Sequence, residues 1–113
     1  MDHDGQLSPG SVWFVSSYLL SGGDVKDERP VVIVQGPRAG ITIVIVWART
    51  TDITVKGILT PAGVVGGLNK PGVIAPRHQH FMDVSGLREP ACRYMGPLPE
   101  PYLSAVLTEW ESR

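Results

Sequence analysis

The chain has 113 residues, 42% of them hydrophobic and 19% charged, with a formal net charge of −1. That length predicts one domain with its own core, and near-neutral charge excludes a nonspecific nucleic-acid coat or a membrane-surface protein. Any nucleic-acid site must be a local cluster of cations. Thirteen glycines and ten prolines, about a fifth of the chain, exclude a helical bundle and fit a small, mainly β domain rich in turns. Cys92 is the single cysteine, which excludes an intrachain disulfide and a cysteine-based zinc cage.

Residues 1–9 are polar and expected to be disordered, leaving 10–113 as the single domain. Residues 11–17 (SVWFVSS) are aromatic and β-branched, which suits a strand. A loop with paired glycines follows at 20–27, then a proline-led apolar strand at 30–35 (PVVIVQ) and a turn at 36–40. Residues 41–49 (ITIVIVWAR) are apolar on both faces, which predicts a central strand. A further strand is expected at 53–59, before a glycine-rich excursion at 61–71. Residues 72–75 and 78–84 read as one strand interrupted near Pro76, and a short strand at 91–95 follows a turn. Leu103, Val106, Leu107 and Trp110 recur at helical spacing, with Pro101 and Glu100 suited to the first turn. The expected architecture is a small, strongly bent barrel closed by one C-terminal helix. No basic stretch leads into an apolar run near Met1, and residues 41–48 fall far short of the ~20 a membrane span needs. A soluble, cytoplasmic protein with no membrane partner is expected.

Four segments occur in a telling order. Residues 10–15 (GSVWFV) precede 28–34 (ERPVVIV), a strand ending at 47–51 (WARTT), and 72–83 (GVIAPRHQHFMD); 95–98 (MGPL) then lead into the helix. This order resembles the MazF/PemK toxin family over roughly residues 10–107. The resemblance implies an SH3-like barrel, most often a homodimer. It also implies a sequence-selective endoribonuclease that cuts single-stranded RNA without a metal or other cofactor, restrained by a cognate antitoxin peptide. By position, Arg29 and Thr50 match the family's recurrent catalytic pair. The third motif departs from the family: Ala75 and Arg77 stand where many PemK-type chains have an arginine and then an aspartate. Two alternatives share the fold: an inactive barrel that binds a protein, and a gyrase-targeting toxin, for which Trp110 is only loosely comparable to the required tryptophan.

Metal-free RNA cleavage needs a base for the 2′-hydroxyl, charge stabilisation at phosphorus and an acid for the leaving 5′-oxygen. Arg29 suits the second task because a guanidinium forks onto two phosphate oxygens, with Thr50 in support. His78 and His80 share one strand face and are the candidates for proton transfer. Arg77 and Gln79 share the other face, and with Arg49 and Thr51 they are candidates for holding the substrate. Trp13, Phe14 and Trp47 fit core or dimer packing better than base stacking, and Trp110 fits an anchor for the helix.

Overall fold

In the computed structural model, residues 5–16, 28–64, 69–90 and 92–113 are described. The β-branched runs form strands β1 (Ser11–Ser16), β2 (Glu28–Gln35), β3 (Ile43–Thr50), β4 (Ile58–Thr60), β5 (Gly72–Asp83) and β6 (Arg93–Pro97). A short helix α1 (Val84–Leu87) and the C-terminal helix α2 (Tyr102–Glu111) complete the elements that concern the site. All six strands join one antiparallel sheet in the order β4-β5-β3-β2-β1-β6, curled into a half-barrel. The architecture is mainly β with a C-terminal helix, as expected. None of the helices among the described residues is long and apolar enough to cross a membrane.

Strand alternation divides the core between the two faces of this sheet. Val31 and Ile33 of β2 join Trp13, Val44, Val46, Ala48 and Met82 in one cluster. Val32 and Val34 join Trp47, Ile74, Leu98 and Val106 in the other. β3 feeds both clusters and lies inside the sheet, which explains its apolar character on both faces. Helix α2 closes the second cluster through Val106, and its Trp110 meets Trp47 edge-on with ring centroids 6.0 Å apart. Glu100 accepts a 3.0 Å hydrogen bond from the Ser104 N–H in the first turn, as its position predicts.

Two expectations need correction. Within the N-terminal stretch, Gly5–Leu7 form a 3-10 turn whose Gln6 carbonyl accepts from Trp13 Nε1 at 2.7 Å. Residues 1–4 lie outside the described residues, as does the loop at 20–27. The strand expected at 53–59 contracts to Ile58–Thr60. Local hydrogen bonds take the backbone first: Asp52 Oδ1 accepts from the Thr54 N–H and hydroxyl, and Thr50 Oγ1 accepts from the Asp52 N–H. The short strand after the turn runs Arg93–Pro97 rather than 91–95. The interruption near Pro76 is real but does not end the strand. Between Trp47↔Gln79 and Arg49↔Ile74, two residues along β3 correspond to five along β5, so β5 bulges at Pro76 while staying continuous.

Candidate active site

The ends of β1, β2 and β3 surround an open depression of about 290 Å³, lined by Phe14, Glu28, Arg29, Pro30, Arg49, Thr50 and Thr51. β2 pairs with β3 so that Val31 faces Ala48. Arg29, two residues before Val31, and Thr50, two residues after Ala48, both line the depression, although 21 positions separate them in sequence. The Thr50 hydroxyl oxygen accepts from Asp52 N–H at 3.1 Å, which leaves its proton free to be donated. Arg29 and Pro30 are half-buried, while Glu28 and Thr51 are exposed.

His78 and His80 do not line this depression. They sit half-buried on β5, alternating with exposed Arg77 and Gln79 as the sequence pattern predicts. Burial is the main cause that lowers His78 below its ordinary 6.5, followed by the nearby cations Arg29 and Arg77, with Asp52 opposing. His80 is lowered by burial, then by His78 and Arg29. Arg29 therefore acts electrostatically on both imidazoles while also lining the depression. Both rings are held neutral near pH 7, the state a base requires. The Nδ1 atom of His78 is buried without a hydrogen-bond partner among the described residues.

The remaining candidates separate. Arg49 is only 4% exposed. Its Nε donates to Thr60 Oγ1 at 2.8 Å and its Nη2 to the Lys70 carbonyl at 2.7 Å. A Cβ at Gly72 would stand 2.6 Å from the guanidinium carbon, so glycine there makes room for it. Arg49 thus ties β3 to β4 and to the segment that leads into β5, a structural use of the cation read from sequence as a substrate contact. Gln79 Oε1 accepts from Trp47 Nε1 at 2.9 Å, and Arg77 lines a different depression. Trp13 and Trp47 are core residues at 8% and 0% exposure. Phe14 reaches the depression with Arg93 stacked 5.0 Å from its ring centroid. The Cys92 thiol donates to the Gly86 carbonyl, and burial pushes its pKa up, which disfavours the thiolate.

Sequence reasoning missed Glu28, the one carboxylate among the described residues that line the depression. Its adjacency to Arg29 was the available signal, but strand alternation would send neighbours to opposite faces. At the strand end both reach the same space. Among the described residues, no group of three or more His, Cys, Asp or Glu side chains is placed to hold a metal ion. Compared with protein-family models the chain matches none, and a search of curated proteins returns no match.

Proposed function

We propose that the protein is a metal-independent endoribonuclease acting on single-stranded RNA, the toxin of a toxin–antitoxin pair working in the cytoplasm. The observation that carries this reading is the convergence of Arg29, Thr50 and Thr51 on one depression, with both histidines under the field of Arg29. The order of motifs resembling MazF/PemK chains adds the family context.

In the proposed reaction the Arg29 guanidinium binds two non-bridging oxygens of the scissile phosphate and stabilises the charge of the phosphorane. Thr50 donates its free hydroxyl proton to the same group. A neutral imidazole from the His78/His80 pair takes the 2′-hydroxyl proton as the 2′-oxygen bonds to phosphorus. The P–O5′ bond breaks, and the imidazolium formed in the His78/His80 pair gives its proton to the departing oxygen, leaving a 2′,3′-cyclic phosphate and a 5′-hydroxyl. A homodimer is part of the proposal, supported by the exposed apolar side chains Ile41, Ile43 and Phe81. The antitoxin would inhibit by filling the depression.

The test is incubation with a long single-stranded RNA in EDTA, beside Arg29→Ala. Discrete fragments ending in cyclic phosphate are expected from the wild type, and cleavage at least about a hundredfold slower from the variant. Intact RNA with the wild type at neutral pH would overturn the reading. It would favour the inactive, protein-binding barrel, which the absence of His78 and His80 from the depression's wall supports. The gyrase-targeting alternative gains nothing from Trp110, which is engaged with Trp47.

A further inference from the structure

A second depression, of about 620 Å³, lies outside the candidate active site and is lined in part by Thr54, Lys56, Arg77, Glu109 and Arg113. Among the described residues, three cations and one carboxylate meet there. Glu109 already pairs with Arg113 at 3.0 Å, so Lys56 and Arg77 contribute positive charge that Glu109 does not offset.

Three separate elements position these groups. Lys56 and Thr54 belong to the turn after β3, which Asp52 folds through its bonds to Thr54. Gly57 seats the turn on β5, because a Cβ there would stand 2.2 Å from the Ile74 carbonyl oxygen. Arg77 stands exposed beside the Pro76 bulge of β5. Arg113 follows α2, its guanidinium 5.6 Å from the Trp47 ring centroid.

We infer that this depression is a binding subsite for the phosphate backbone of single-stranded RNA. The inference rests on the proposed function and extends it from the cleavage centre to the path of the strand. Two observations link the depressions. Thr51 edges the first and Thr54 the second, and three residues of chain span at most about 11 Å. Arg29, which lines the first, and Arg77, which lines the second, are both near enough to His78 to disfavour its charged form, with Asp52 opposing. Guanidiniums fork onto phosphate oxygens, whereas Lys56 serves as a point charge. These contacts go to the backbone, so the subsite sets the register of the strand without reading its bases.

The test measures binding of a short fluorescent 2′-O-methyl RNA, which lacks the attacking hydroxyl, by anisotropy across a salt series. The double variant Lys56→Gln/Arg77→Gln is expected to weaken binding about tenfold and to reduce the slope of log K against log salt by about 1.4, two contacts at ~0.7 each. Arg38→Gln/Arg88→Gln, which removes the same charge from exposed positions elsewhere, is expected to leave the slope unchanged. Equal losses from both double variants, or none from the first, would overturn the subsite. Competition by polyglutamate as effective as by polyuridylate would also overturn it, assigning the depression to an acidic peptide. Cleavage of ordinary RNA is read separately. Binding that depends on Lys56 and Arg77 without cleavage by the wild type upholds the subsite and sinks the nuclease. Cleavage with binding indifferent to both residues does the reverse.

Discussion

Arg49 and Arg29 show how differently two arginines of one sheet are used. Both line the same depression, but the Arg49 guanidinium is bonded to Thr60 Oγ1 and to the Thr60 and Lys70 carbonyls. It is a buried cation held by neutral acceptors, and desolvation lowers its pKa. Arg49→Ala leaves those acceptors without a donor, and its expected cost is about 3 kcal/mol, measured by urea unfolding. Arg49→Lys is expected to recover only part of that stability, because one ammonium cannot reproduce the directions of Nε and Nη2. Arg29 was legible as a candidate through the order of motifs resembling MazF/PemK chains, and it lines the depression with Thr50. The use of Arg49 was not, because Thr60 and Lys70, 11 and 21 positions away, come to it only through the fold.

The strands most densely populated with β-branched residues were legible from their pattern, and α2 from its spacing of apolar side chains. The connection between β3 and β4 was not. Residues 53–57 contain Ile53 and Val55, which read as strand, yet Asp52 and Thr50 capture nearby backbone N–H groups and fold the segment into a turn. Ile53 is left 58% exposed, so tertiary burial did not compete with those local bonds. Gly57 completes the turn by its close approach to Ile74. Gly57→Ala is therefore expected to lift the turn from β5 and cost upward of about 2 kcal/mol. The same variant should lose affinity for the uncleavable RNA through misplacement of Lys56. A thermal melt and the anisotropy assay check the two outcomes.

Across the whole molecule, titration links the candidate site to stability. His78 and His80 have folded-state pKa values below the ordinary 6.5, chiefly because burial disfavours their charged forms. The unfolded chain therefore binds protons more readily, so their stabilisation is complete above 6.5 and is lost as pH falls through the lowered values. Asp52, Asp83 and Glu100 are also lowered, by hydrogen bonds, from 3.8, 3.8 and 4.5. Their contribution is present above those ordinary values and disappears at still lower pH. Thermal unfolding against pH is expected to decline in two stages, with His78→Gln/His80→Gln removing the upper stage. Cleavage should rise from the acid side as the imidazoles become neutral, and a rate independent of pH between about 5 and 7 would argue against a histidine base. By itself, the sequence determined the mainly β architecture, the central strand, the helix and its packing face, since alternation and helical spacing are local properties. Only the tertiary structure decided which candidates meet. It put Arg29 and Thr50 in one depression, moved Arg77 to a second, committed Gln79 to Trp47 and buried Arg49. Strand register and the bulge in β5 set these juxtapositions through contacts distant in sequence, which no window of neighbouring residues encodes.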